Sequence, residues 1–366
     1  MDPLAQFCHN PDCPTRGKPG WGNIRVQSRT ESRSRCTACG QTFAATRDTP
    51  VFRLQKPLDL VTIVITLLCH GCPLQAVVAA FGLDERTIAA WRNRAGRHGP
   101  QFHEQRGLQG QVDLEHVQAD ELFAKVVGRR RWMALALAVP SRLWLGGMVS
   151  ASRDLKLITA VVQMVRRAAK SLVFLVGVDG LASSVTAFTR VFRNPVRTGK
   201  RGRPRRTAIP GLLLGQVLTR HSGRRTVSVP RRVVLGTAPA IACVLAATGT
   251  GSAINTSDIE RLNATFRAAM CPLVRRGRAR VRGEEVLTGG MYWVGCADNF
   301  CWEHDSLRIA AFPGDRLQWR ARTPAMAAGL TDQRWTMREL LSSPIRLPPW
   351  VAPKRRGRPP KRISGV

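Results

Sequence analysis

Residues 171–180 read SLVFLVGVDG. The run is almost continuously apolar and short, and it ends on Asp179 and Gly180. That pattern marks a strand buried on both faces, as found inside an α/β sheet. Working outward, RDLKLITAVVQMVRRAAK (153–170) spaces its apolar residues as an amphipathic helix. Upstream of it, LEHVQADELFAKVV (114–127), RRRWMALALAVP (129–140) and SRLWLGGMVSA (141–151) read as three strands, antiparallel neighbours. Downstream, LASSVTAFTRVF (181–192) reads as a new helix. The predicted order is strand, strand, strand, helix, strand, helix. Asp179 then stands at the C-terminal end of its strand, the edge of an α/β sheet where ligands bind. Asp120 falls near the middle or end of the first strand.

A third acid follows in INTSDIERLNATFR (254–267), a predicted helix carrying Glu260, with Asn263 one turn on and Arg267 two turns on along the same face. In a ribonuclease-H-like fold one carboxylate on the first strand, one at the end of the fourth and one on a later helix converge. Three clustered acids repel unless cations compensate them. Two Mg²⁺ ions about 4 Å apart do so, using carboxylates as hard oxygen ligands for in-line attack at phosphorus. Mn²⁺ is an acceptable substitute for Mg²⁺ in such a site. Each acid also has a plainer reading. Ser257-x-x-Glu260 has the form of a capping box, and Asp179 of a helix N-cap. Glu121 is an alternative to Asp120, but as its strand neighbour it is expected on the other face.

The chain has 366 residues, with 57 Lys and Arg against 24 Asp and Glu, a formal charge of +33. The arginines are spread along the whole length, so a polyanion, double-stranded DNA above all, is the expected partner. The N-terminus has no apolar targeting segment, and the longest uncharged run, 233–257, is rich in Gly, Ala and Thr with an internal Pro, a poor bilayer span. The expectation is a cytoplasmic, nucleoid-associated protein with no membrane partner.

Ten cysteines without an export signal favour metal binding or reduced thiols over disulfides. Cys8 and Cys13 have four residues between them, Cys36 and Cys39 two, and the pairs are separated by 22. Two such knuckles close a tetrahedral Zn²⁺ site, giving a structural zinc ribbon over residues 1–50. His9 is left out of the ligand set. Cys69 and Cys72 lack a second pair and are taken as structural. Residues 57–98 read as a small all-α helix-turn-helix: an apolar helix ends at Gly82, and Asp84 caps a second helix on which Ile88 packs inward. Arg86, Arg92 and Arg94 on that helix are the candidate DNA contacts. The Gly-rich segment GRHGPQFHEQRGLQGQ (96–111) reads as a connector, 112–308 as the catalytic domain with a basic insert near 195–207, and 309–366 as a Pro- and Arg-rich extension. GKRGRPRR (199–206) and KRRGRPPKR (354–362) share an Arg-Gly-Arg-Pro core. Such a core places Arg201, Arg203, Arg356 and Arg358 for the minor groove, or else serves as a solvated basic linker and tail.

Taken together, the two cysteine pairs, ADE (119–121), VDG (178–180), NTSDIERLNATFR (255–267), DNFCWEHDSL (298–307) and TPAMAAGLTDQRWTMRELL (323–341) resemble bacterial insertion-sequence DDE transposases of the insertion-sequence-one type. The resemblance implies an α/β ribonuclease-H-like catalytic core preceded by a zinc ribbon and a helix-turn-helix. It implies Mg²⁺-dependent strand cleavage and transfer at terminal inverted repeats into target DNA, by a homo-oligomer that is at least a dimer. By it, Asp120, Asp179 and Glu260 are the catalytic metal ligands and Arg267 the basic residue beyond the Glu. His304 is a weaker candidate, because the Arg-Pro pattern before it is missing. The alternative is a transposon-derived DNA-binding regulator in which the acids are only structural. Recombination through a covalent tyrosine fits poorly, since the one tyrosine is Tyr292, in GGMYWVG.

Overall fold

The computed structural model describes residues 3–106, 110–196, 199, 204–223, 225–274, 281–311, 316–348 and 350–352. It divides into two compact units, Met1–Arg53 with Pro344–Val366, and Leu54–Ser343. Arg201, Arg203, Arg356 and Arg358 lie outside the described residues.

The first unit is a three-stranded antiparallel meander, β1 (Ile24–Ser28), β2 (Arg33–Cys36) and β3 (Thr42–Ala44). Its core is Cys8, Cys13, Ile24, Cys36 and Phe43. So few apolar residues cannot hold a fold by burial alone.

The second unit opens with three helices, α1 (Leu58–Cys69), α2 (Leu74–Phe81) and α3 (Glu85–Gln105). Gly82 ends α2 in the left-handed conformation, and the Asp84 carboxylate caps α3 through the amides of Arg86 and Thr87. Ile88 is fully buried, as its place after the turn predicts. The 96–111 connector is corrected here: α3 runs on to Gln105 through Gly96, Gly99 and Pro100. The reason lies in its neighbour α8 (Glu284–Phe300). A Cβ on Gly96 would stand 2.9 Å from the Cα of Gly289, so the glycines that read as loop punctuation are where two helices meet backbone to backbone. Helices α1–α3 are therefore continuous with the larger unit, rather than a separate domain closing at residue 98.

The sheet of this unit contains β4 (His116–Val126), β5 (Arg129–Ala138), β6 (Leu143–Ser150), β7 (Leu175–Val178), β10 (Leu213–Val217) and β13 (Arg231–Leu235). The spatial order is β13-β10-β7-β4-β5-β6. β4, β5 and β6 are an antiparallel meander, β7 lies parallel to β4, β10 parallel to β7, and β13 antiparallel to β10. Two hairpins stand outside the sheet, β8 (Arg193–Val196) with β9 (Arg205–Ala208), and β11 (Arg220–Ser222) with β12 (Arg225–Ser228). Helices α4 (Leu155–Ala168) and α5 (Ala182–Val191) flank β7 in sequence, α6 (Ala238–Ala247) follows β13, and α7 (Ser257–Ala269) carries Glu260.

One face of the sheet buries Leu122, Met133, Leu135 and Trp144 against Ile259, Leu262 and Phe266 of α7 and Met291 of α8. Residues 309–343 are likewise part of this unit rather than an extension. A short hairpin, β14 (Ile309–Ala311) and β15 (Gln318–Arg320), is followed by α9 (Pro324–Ala327) and α10 (Met337–Ser342), and Trp335 packs on Phe102 and Phe300. Among the described residues no helix is long and apolar enough to cross a membrane.

Candidate metal centre

β4 and β7 pair only from His116↔Leu175 to Ala119↔Val178. Beyond Ala119 the β7 neighbour has ended, and the next two residues of β4 are Asp120 and Glu121. Asp179 is the first residue past β7. Asp120 leaves β4 toward α7, where its Oδ2 accepts a hydrogen bond from Asn263 Nδ2 at 2.7 Å. Glu121 leaves on the opposite face, as strand alternation requires, yet it joins the cluster: Asp120, Glu121 and Asp179 each bring an oxygen within 4.8 Å of the others. Glu121 thus faces away from Asp120, as expected, and still belongs to the cluster. Where the sheet has no next strand, a long carboxylate reaches round the open edge.

Arg153, in the loop between β6 and α4, ties the cluster together. Its Nε and Nη2 donate to Glu121 Oε2 at 2.9 and 2.6 Å, and Nη2 also reaches Asp179 Oδ2 at 3.0 Å. Its guanidinium lies 5.2 Å from the centroid of Trp132. Asp179 Oδ1 accepts from the Leu181 amide at 3.0 Å, which braces the turn into α5 without making Asp179 the N-cap, a place held by Leu181. Burial pushes the Asp120 carboxyl above the usual carboxylate range, and the charges of Asp179 and Glu260 add to that. Burial also takes Glu121 up to about 7, against the pull of Arg153.

Glu260 is near enough for Asp120 to feel its charge, but it is not in the carboxylate cluster. It is exposed, and its Oε1 accepts from Thr256 Oγ1 at 3.0 Å. The capping-box reading of Ser257 and Glu260 does not hold either: Thr256 is the N-cap of α7 and its side chain makes no capping bond. The cap comes from the sheet. Gln118, fully buried on β4, accepts from the amides of Asp258 and Ile259 at 3.1 and 2.9 Å and donates to the Asn255 carbonyl at 3.0 Å. Asp258 in turn pairs with Arg142. Through Gln118 the Glu260 helix is anchored two residues from Asp120. Arg267 is half-buried two turns farther along α7. His304 Nε2 lies 3.2 Å from buried Asp298 and takes no part in the cluster.

The cluster suits a hard cation. It offers three carboxylate oxygens, partly buried, and beside Asp120 the Asn263 Oδ1 is buried with no partner. In the other unit the cysteine pairs converge as spaced: Cys8 Sγ to Cys39 Sγ is 3.6 Å and Cys13 Sγ to Cys36 Sγ is 3.9 Å. Tetrahedral Zn–S bonds of about 2.3 Å require sulfurs about 3.8 Å apart. Burial works against the Cys36 thiolate, but hydrogen bonds from Thr15, Asn23 and two backbone amides outweigh it and bring its pKa down to about 6. His9 is not a ligand: it bonds Asp48 at 2.7 Å and packs on Phe43.

The three candidate DNA contacts on α3 part company. Arg86 is exposed, and Arg94 is half-buried. Arg92 is drawn inward, lining an apolar cavity of about 400 Å³ with Ile65, Cys69 and Trp293; its Nε is buried without a partner, and burial lowers its pKa.

No protein-family model matches this sequence, and no curated protein matches it.

Sequence reading missed Arg153 and Gln118. Arg153 carried a weak signal, a basic residue just after a strand that runs parallel to the Asp120 strand and so ends at the same sheet edge. Gln118 carried none, because a buried glutamine in an apolar strand announces a partner but not which one.

Proposed function

We propose that the chain is a divalent-metal-dependent DNA strand transferase of the DDE transposase kind, built on a ribonuclease-H-like core. The observation that carries the reading is the meeting of Asp120 and Asp179. They come from adjacent parallel strands, and their oxygens gather at the edge where β7 stops. The order β6-β5-β4-β7-β10, with the first three strands antiparallel and the last two parallel to β4, supports that core. The charge of +33 and the zinc-competent first unit support a DNA substrate.

Asp120, Glu121 and Asp179 would hold the metal. When bound, Mg²⁺ supplies Lewis-acid activation of the attacking hydroxyl and charge neutralisation at the leaving oxygen. The chain's own residues do the positioning. Asn263 fixes Asp120 and the Leu181 amide fixes Asp179, while Arg153 bridges Glu121 and Asp179 in the place that a bound cation would take over. Glu260, whose charge Asp120 feels, would join the set only on leaving Thr256, on a helix whose backbone Gln118 keeps in place.

A second reading, a DNA-binding regulator without chemistry, draws on the placement of Glu260 outside the cluster. One experiment separates them. Full-length protein is incubated with duplexes carrying the DNA that flanks its gene, with Mg²⁺ or with chelator. The enzyme reading expects strand cleavage and joining with Mg²⁺ only, and their loss in Asp179→Asn with end binding retained. Binding without metal-dependent cleavage in the wild type would leave the regulator.

A further inference from the structure

The carboxylate edge carries a second feature. β10 is parallel to β7, so both end at the same edge. Leu218, just past β10, has its Cδ2 3.4 Å from where a Cβ on Gly180 would stand, and Gly180 follows Asp179. From Leu218 the chain leaves the sheet as the β11–β12 hairpin and returns at Pro230, whose carbonyl accepts from the Leu218 amide at 2.9 Å. The hairpin therefore rises from the rim of the acidic cluster. The β8–β9 hairpin does not. It follows α5, which runs back from that edge, and it leads into the opposite end of β10.

β11–β12 has no core of its own. β12 is exposed throughout, and Arg220 and Ser222 of β11 are exposed. A two-stranded ribbon of this kind is marginal in water unless something lies against it. Arg220 pairs with Ser228 and Ser222 with Arg225, with a register shift between the first two residues of β11. The shift restores the alternation, so Arg220 and Arg225 share one face, about 7 Å apart along the ribbon at about 3.3 Å per residue. Among the described residues neither has an acidic partner. Val227 and Val229 stand 66% and 40% exposed on the same segment. An exposed two-stranded ribbon bearing arginines and bare valines has the width and chemistry to lie along a DNA groove, its cations on phosphates and its valines on sugars or thymine methyls.

We propose that β11–β12 is a DNA-gripping arm that holds the strand backbone beside the Asp120–Glu121–Asp179 cluster, with Arg220 and Arg225 on neighbouring phosphates. The proposal rests on the reading that this chain acts on DNA. The occupant is duplex DNA because a polyanion complements the ribbon, and because the site it borders is read as cutting a phosphodiester.

The test compares the full-length wild type with R220Q/R225Q and R220K/R225K, titrating each into a fluorescein-labelled duplex of random sequence over a series of KCl concentrations. Each phosphate contact contributes about 0.9 to the slope of log affinity against log salt. The glutamine pair is expected to reduce the slope by about 1.8 and to raise the DNA concentration needed for half-maximal Mg²⁺-dependent cleavage. The lysine pair, which keeps both charges, is expected to retain the wild-type slope. A glutamine pair with the wild-type slope overturns the arm while leaving DNA action intact. A glutamine pair that changes sedimentation but not DNA binding also overturns it, making the ribbon a contact between copies. A wild type that binds no duplex sinks the DNA reading itself, a separate outcome from either.

Discussion

Replacing Arg153 with Gln tests whether the three acids form a cation site. The side chain makes two charge-assisted bonds to Glu121 and one to Asp179. Such bonds contribute about 1.5–3 kcal/mol each where buried. Arg153 and Asp179 are each about one-third exposed (32% and 34%), so the Asp179 bond counts for little, whereas Glu121 is 3% exposed. The loss is also capped, because Glu121 already titrates at about 7 and escapes an unpaired charge by taking a proton. The net cost at neutral pH is about 2 kcal/mol, a fall of about 4 °C in the midpoint of the larger unit. The decisive part is rescue. A divalent ion at about 100 times its dissociation constant adds about 2.7 kcal/mol to the folded state. Mn²⁺ should raise the variant's midpoint by more than the wild type's, because in the variant the ion no longer competes with a guanidinium. The assay is calorimetric melting of both proteins, zinc-loaded and then passed into buffer free of other divalent ions, first without and then across a Mn²⁺ series. A variant that melts with the wild type without Mn²⁺, or one whose midpoint Mn²⁺ does not move, would refute the reasoning.

Gln118→Leu removes the acceptor for two α7 amides and should destabilise the larger unit by about 1–3 kcal/mol in urea, with amide exchange accelerated first in the opening turn of α7. Gly96→Val sets a branched side chain against the Gly289 backbone, which cannot yield, and should cost about 3 kcal/mol in the same assay. Elemental analysis of the wild type should find one tightly held zinc per chain, and Cys36→Ser should abolish it and open residues 1–53 to trypsin. Burial holds His98, His103 and His116 at about 4 against an ordinary 6.5. The folded state keeps them neutral while the unfolded chain takes up protons. The stability is fully present above pH 6.5 and is lost as pH falls from 6.5 to about 4, at about 1.4 kcal/mol per pH unit per histidine. Urea midpoints that do not fall across that window would contradict this.

Much of the architecture could be read from residue pattern alone, because each element of the sheet carries its own period. The buried run ending at Asp179, the Asp84 cap and the cysteine spacing are local signals, and local structure obeys them. The misreadings have a common cause in tertiary context. Gly96, Gly99 and Pro100 look like a loop until a second helix arrives that only glycine can accommodate. Glu121 looks excluded by strand alternation until the neighbouring strand turns out to end one residue short of Asp120. Glu260 looks committed to the acids by order along the chain, but rotamer choice, which order does not govern, gives it to Thr256. Arg92 sits at a helical position that looks solvent-facing, and α1 and α8 cover it.

The unbroken course of α3 has a mechanical corollary. Its 21 residues, at about 1.5 Å each, make a strut about 32 Å long, the length of about nine base pairs of duplex. One end carries Arg86 and the other is wedged against α8 behind the sheet. Were a duplex read at the Arg86 end, the strut would hold it at a fixed offset from the sheet, so that any scission at the acids would fall at a counted distance from the recognised bases rather than at an inspected sequence.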